Sequence, residues 1–303
     1  MRAWRAFGAG DGGARATRRA RGPVHAWVVL AALLLLSGRA ALAQGVILTL
    51  LDGRAVVIDG AQRLEAVAGM RPAAAAIVET AASTGLVRLE WPDGSVVDLG
   101  PETKAMIQPP GFGARSGRLP LLYLLQGWAK VAGPGKDPAG GVLTPSFELL
   151  PFIGAAVVYS DRRERFAFPE SAPIEIVERS AAGKRHGVAA GALYAGAAGV
   201  LPRPTADWLA RVPRAFRDPL PLRAAAYKDR IVTASALAAP TYVGLADWLT
   251  AEPAVRRDFP QRFVALAQDA ESRRALQSHL SSHPEWGPVL NPPAERADNK
   301  RSR

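Results

Sequence analysis

The feature that most constrains this 303-residue chain is its punctuation. Between Gly45 and Gly199, short apolar runs are cut by Asp52-Gly53, Asp59-Gly60, Asp93-Gly94 and Gly133-Pro134. Asp tolerates positive φ and Gly favours it, so these dipeptides mark turns. The runs between them, 55–58, 76–79, 86–91, 95–99, 122–125, 142–149, 155–159 and 174–178, are too short for helices and read as strands. In 86–91, Val87, Leu89 and Trp91 alternate with Arg88 and Glu90, which predicts a strand with one wet face. About a dozen such strands predict a mainly β domain over 44–201, a short-strand β-sandwich or a short β-solenoid. The stretches 111–117 and 133–141 read as loops.

After Leu201-Pro202-Arg203-Pro204 the period changes. Leu245, Trp248 and Leu249, then Phe259, Phe263 and Leu266, then Leu276 and Leu280, follow helical spacing. Prolines 213, 219, 221, 240, 253 and 260 cut the segment into short helices. We read 202–290 as a small all-α unit, separable by proteolysis at the Pro-rich joint, and 291–303 as a disordered basic tail. Within the helical unit, Ala206-Asp207-Trp208-Leu209 with Pro213, Arg217 and Asp218 recurs 40 residues on as Ala246-Asp247-Trp248-Leu249 with Pro253, Arg257 and Asp258. Seven of thirteen positions match. Duplication predicts Trp and Leu packed inward and Arg paired with Asp; chance in an Ala/Arg-rich chain is the alternative.

The net charge of +11 suggests nucleic acid until it is partitioned. Residues 1–43 hold seven Arg and one acid, and the last ten residues add +2, leaving about +3 on the body. Residues 26–36, AWVVLAALLLL, follow Arg15, Arg18, Arg19 and Arg21 and precede Ala41-Leu42-Ala43. This is the layout of a secretory signal over 1–43, cleaved between Ala43 and Gln44, and the run is shorter than the ~20 residues a membrane span needs. The expected location is the bacterial periplasm, without stable membrane insertion after cleavage and without nucleic acid as a partner. Arg18-Arg19 hints at twin-arginine export, but Arg21 and Gly22 stand where such signals carry apolar residues.

The chain has no Cys, which excludes disulfides, thiolate metal sites and Cys nucleophiles. His279 and His283 have the spacing of a zinc pair, but no third ligand is evident, and they read as surface histidines. His186 reads as part of a solvated turn. Gly135-Lys136, Gly183-Lys184 and the 111–117 glycines fail the nucleotide fingerprints. Glu148, Glu170 and Glu175 are candidates for a glycosidase pair, though strand-surface acids are commoner. Arg162 and Arg163 lie in a run with Asp161 and Glu164 that reads as a solvated hairpin rather than a phosphate site. We expect no catalytic, cofactor or metal residues. Trp91 and Trp128 suit either core packing or a sugar- or peptide-binding platform, and Trp286, in a polar context, suits a docking edge. These three are the candidate partner-binding residues.

The β region resembles the FecR-domain family of bacterial envelope proteins. The resemblance rests on residues 66–70 with 76–80, on Leu86 to Ser95 with its D-G-S hairpin, on Leu124 to Val131, on Leu143-Thr144-Pro145 and on Gly191 to Gly196, and spans roughly 45–197. It implies a periplasmic β domain that binds proteins or ligands and passes on a signal. The best-known members hold a sigma factor through a cytoplasmic segment and one spanning helix, which are not evident here. The expected function is therefore a non-enzymatic module for envelope signalling or scaffolding, with an envelope protein as partner. The alternatives are a cell-wall binder or hydrolase acting on peptidoglycan or polysaccharide, and a sigma-factor regulator whose start is mis-assigned.

Overall fold

A computed structural model describes residues 45–113, 117–180 and 182–292. The proposed cleavage site at Ala43 and Gln44, and nearly all of the 291–303 tail, lie outside them. The described residues form one compact unit. The fold is mainly β, with a small C-terminal region of short helices.

The sixteen strands are β1 (Ile47–Asp52), β2 (Ala55–Asp59), β3 (Gln62–Glu65), β4 (Ile77–Thr80), β5 (Leu86–Glu90), β6 (Val96–Leu99), β7 (Lys104–Ile107), β8 (Leu122–Ala132), β9 (Val142–Leu143), β10 (Phe147–Leu149), β11 (Ala155–Ser160), β12 (Arg165–Pro169), β13 (Ile174–Glu178), β14 (Arg185–Val188), β15 (Leu193–Tyr194) and β16 (Val200–Leu201). One sheet runs β1-β5-β6-β8-β11-β12-β15-β16, the other β3-β2-β4-β7-β8-β9-β10-β13-β14. Among the described residues, only β8–β9 is parallel. The sheets face each other across a core that includes Leu48, Val57, Val78, Leu89, Val97, Leu124, Val131, Phe147 and Val158. This is the sandwich alternative, and it is not a closed barrel.

β8 belongs to both sheets. Its first half pairs with β7, and residues from Ala129 onward pair with β6. Between them, Gly127 has φ +94°, and a Cβ there would lie 2.5 Å from Thr103 Cα. Only glycine lets the strand turn against Thr103 and change layers. The Asp-Gly breaks work as expected: Asp59-Gly60 closes the β2–β3 hairpin, and Gly94 (φ +85°) turns β5 into β6 with Asp93 Oδ1 accepting from Ser95 N at 2.8 Å.

The wet face expected on 86–91 is not wet. Arg88 and Glu90 are 5% and 1% exposed. Residues 220–224 lie over them: Arg88 donates to the carbonyl oxygens of Leu220 (2.9 Å) and Pro221 (3.4 Å), and Glu90 accepts from the N–H groups of Arg223 and Ala224. Arg88 also forms a buried pair with Asp98 at 2.7 Å, and Lys130 donates to Phe216 O at 2.6 Å. The polar row on the outer face of this sheet thus acts as the seat for a strap. Alternation along β5 identifies the face that leaves the sandwich core but not what covers it.

The strap continues around the edge of the sandwich. Glu65 N donates to Ser235 O and Leu237 N to Arg63 O, so 235–237 covers the free edge of β3. The following helices, α2 (Ala246–Leu249), α3 (Pro253–Arg256), α4 (Phe259–Arg262), α5 (Ala270–Ser278) and α6 (Gly287–Leu290), cover the outer face of the other sheet; the first helix, α1 (Ala206–Arg211), lies on the opposite side. Trp248, Leu249, Phe259 and Leu276 share one cluster with Ile58, Ile77, Met106 and Tyr123 of the strands. Trp208 and Phe216 pack with Leu86, Trp128 and Val157. The change of period at 201–204 marks a change of secondary structure, while the packing crosses it.

Both tryptophans of the repeated segment are core residues, 2% exposed at Trp208 and 0% at Trp248, but on opposite faces of the sandwich. Leu249 is buried, whereas Leu209 is 45% exposed, against the expectation that both leucines face inward. Arg257 meets Asp258 at 3.4 Å, while Arg217 donates instead to Leu209 O. Arg262 pins α4 to the sheet through the carbonyl oxygens of Gly60, Ala75 and Ile58, at 2.6, 2.7 and 2.8 Å. Burial pulls its pKa down to about 10, with Asp59 opposing, so the guanidinium stays charged at neutral pH.

His283 corrects the surface reading: it is 1% exposed, and neither ring nitrogen has a hydrogen-bond partner among the described residues. Burial holds its pKa below the ordinary 6.5. Above that value neither the folded nor the unfolded form binds the proton. Below it the unfolded chain takes up a proton that the folded chain resists, so stability falls as pH drops through 6.5. A lower urea midpoint at pH 5 than at pH 7.5, with the difference shrinking in His283→Gln, is the expected result. An equal midpoint difference in both proteins would remove His283 as the cause.

Candidate functional site

The layer change of β8 leaves a groove between the β11–β12 hairpin tip and α2. Two adjoining cavities, about 210 and 420 Å³, share Gln126, Asp161, Arg162 and Asp247. The larger is also bounded by Glu102, Trp128 and Tyr159, the smaller by Tyr123, Thr250 and Glu252.

Each wall has a local cause. Asp161 Oδ1 accepts from the N–H groups of Arg163 (2.7 Å) and Glu164 (2.5 Å), which closes the hairpin tip and turns Arg162 and Arg163 outward. Asp161 Oδ2 accepts from the Tyr159 hydroxyl at 2.6 Å. Burial and this bond push the Tyr159 pKa up to about 12. Burial works against the Asp161 carboxylate, but the Tyr159 hydroxyl and the two N–H groups hold it below its ordinary range. Asp247 stands in the first turn of α2 and takes Lys104 Nζ at 2.6 Å and Arg162 Nη2 at 2.8 Å. The Lys104 hydrogen bond holds its pKa down against burial, and Arg162 adds to it. Arg162 therefore bridges the two cavities, although its side chain is 85% exposed.

The floor is aromatic. Trp128 and Tyr159 rings lie 4.5 Å apart, and Arg211 covers Tyr159 at 5.2 Å. At the bottom of the smaller cavity, the Tyr123 hydroxyl is buried beside the Glu252 carboxylate. Burial, with the Glu252 carboxylate adding to it, pushes its pKa far up, so it is a permanent donor. Glu252 is itself clamped by both guanidinium nitrogens of Arg179. Neither Glu102 nor Arg163 has an ionic side-chain partner among the described residues. Glu102 also has φ +50°, uncommon for a residue other than glycine. The site thus offers an unpaired acid, an unpaired guanidinium, an amide and a buried phenol around a displaceable ion pair. That chemistry suits recognition of a polar, hydrogen-bonding ligand.

Of the tryptophans singled out in the sequence, only Trp128 borders the groove, and it is 7% exposed. Trp91 lies in the sandwich core at 6%, and Trp286 is completely buried with the helices, which corrects its reading as a wet docking edge. The missed residues, Gln126, Tyr123 and Asp247, come from segments that only the tertiary fold brings together. Their one sequence signal was Gly127 within an apolar run. The acidic candidates do not converge: Glu170 pairs with Lys130 at 2.9 Å and Glu175 with Arg185 at 2.5 Å, on different sheets, while Glu148 borders a separate cavity with Glu178 and Arg179. His186 is only 9% exposed at its side chain and meets Glu178 at 3.0 Å, so it is not a solvated turn residue. No group of three or more His, Cys, Asp or Glu able to hold a metal occurs among the described residues.

Compared with known proteins, the chain matches no protein-family model and no curated sequence.

Proposed function

We propose that this chain is a non-enzymatic, FecR-like module of the bacterial cell envelope. It is exported to the periplasm and serves signalling or scaffolding by binding an envelope partner. The observation that carries the reading is the groove at the β8 crossing, where charged and aromatic side chains from four segments remote in sequence converge on open cavities. The mainly β fold accords with the FecR resemblance, which rests on the sequence motifs.

The test uses residues 44–303 immobilised and exposed to periplasmic extract and, separately, to purified peptidoglycan. A specific ligand is expected to be retained, and Arg163→Glu combined with Glu102→Lys should lower its retention about tenfold or more, the scale of losing one or two charged contacts. Both residues are exposed, so the melting temperature should stay within ~2 °C. Retention of nothing, or equal retention by the variant, would defeat the reading. Retention of peptidoglycan with release of soluble fragments would replace it with a cell-wall hydrolase.

A further inference from the structure

The strap carries an apolar tip that nothing in the groove explains. Ile231 is 98% exposed, Leu222 62% and Leu220 36%. Isolated exposed aliphatic residues are ordinary, but these three occur within twelve residues that are fastened to one corner of the sandwich. Arg88 holds the carbonyl oxygens of Leu220 and Pro221, just before Leu222, and Arg223 follows on the Glu90 carboxylate. Tyr227 and Val232 both pack on Gly69, where a Cβ would meet each at 2.7 Å, and Arg71 donates to Tyr227 O. Gly69 in turn donates to Leu48 O, and Leu48 pairs with Leu89, the neighbour of Glu90. The tip is thus held at both ends by β1 and β5.

Charge indicates what covers it. Residues 217–231 hold Arg217, Arg223, Lys228 and Arg230 against Asp218 and Asp229, so the apolar side chains sit in a net basic setting. Basic residues interleaved with exposed aliphatic ones suit the headgroup boundary of an anionic bilayer.

We propose that the 220–231 tip is a surface that rests on an anionic phospholipid bilayer, inserting Leu222 and Ile231 among the headgroups while Arg223, Lys228 and Arg230 meet lipid phosphates. No helix among the described residues is long and apolar enough to cross a membrane, so this contact is peripheral. It is independent of the groove and orients the body relative to the membrane.

The test is co-sedimentation of residues 44–303 with vesicles of phosphatidylcholine, pure or containing one third phosphatidylglycerol. Binding to the anionic vesicles only, weakened by salt, is expected. Leu222→Asp with Ile231→Asp should lower partition at least about tenfold, since each aliphatic side chain contributes on that scale. Lys228→Glu with Arg230→Glu should also lower it, whereas Arg163→Glu in the groove should not. Circular dichroism must show each variant folded; because all four tip residues are exposed, unfolding is not the expected outcome. Absence of binding to anionic vesicles, or undiminished binding by the Leu222/Ile231 variant, overturns the proposal. So does self-association that the same variant abolishes without any lipid binding, which would make the tip a contact between copies of this chain.

Discussion

A Trp248→Ala protein melts roughly 10 °C or more below the parent and does so in a single transition. Trp248 is completely buried, and its Nε1–H donates to Glu79 Oε1 at 2.8 Å. Truncation removes a large apolar surface, leaves a cavity and strips the partly buried Glu79 carboxylate of its donor, at a cost of about 3–5 kcal/mol. In a body of this size each kcal/mol lowers the melting temperature by about 2–4 °C. The single transition follows from where the cavity opens. The cluster around Trp248 includes Ile58, Ile77 and Met106 on three strands, so the helices have no core apart from the sheet. Trp208→Ala should act through the other face, where the indole packs on Phe168 at 5.1 Å and Trp128 at 6.3 Å. Melts followed by far-ultraviolet and tryptophan signals check both variants. A loss confined to helical signal, with the strands melting unchanged, would show that the two parts fold separately.

Arg88→Ala should be comparably damaging, by about 3–5 kcal/mol, because it strands Asp98 in the interior. The pair joins β5 to β6 through two hydrogen bonds, at 2.7 and 2.8 Å, with side-chain exposures of 5% and 6%. A buried carboxylate without its partner carries a desolvation penalty that the pair otherwise offsets. Arg88→Met combined with Asp98→Leu should therefore be more stable than Arg88→Met alone. Recovery stays incomplete, because the carbonyl oxygens of Leu220 and Pro221 also lose their donor. The strap should then be cut faster by trypsin at Arg217 and Arg223. A double variant less stable than the single one, or an unchanged cleavage rate, would show that the ion pair is not what seats the strap.

The sequence by itself determined the local elements. Alternation and Asp-Gly breaks placed strands at all eight of the predicted runs, since turn chemistry and side-chain period act within a few residues. Of the strands that escaped notice, Gln62–Glu65, Lys104–Ile107 and Arg185–Val188 are short, polar or both, and owe their form to neighbouring strands rather than to their own pattern, whereas β1 has an apolar run of its own that was passed over. The change to helical spacing after 204, and the burial of Trp208 and Trp248, were legible for the same local reason. What covers each face was not. Arg88 and Glu90 read as solvated because the backbone that covers them, 220–224, lies more than 130 residues away, although Asp98, which pairs with Arg88, is only ten residues on. Trp286 read as wet because Pro284 and Glu285 flank it, yet helix packing removes it from water. The groove needed Gly127 to send one strand through both sheets, bringing Gln126 and Tyr159 against Asp247. Periodicity gives each side chain a direction, but only the closed fold supplies what that side chain meets.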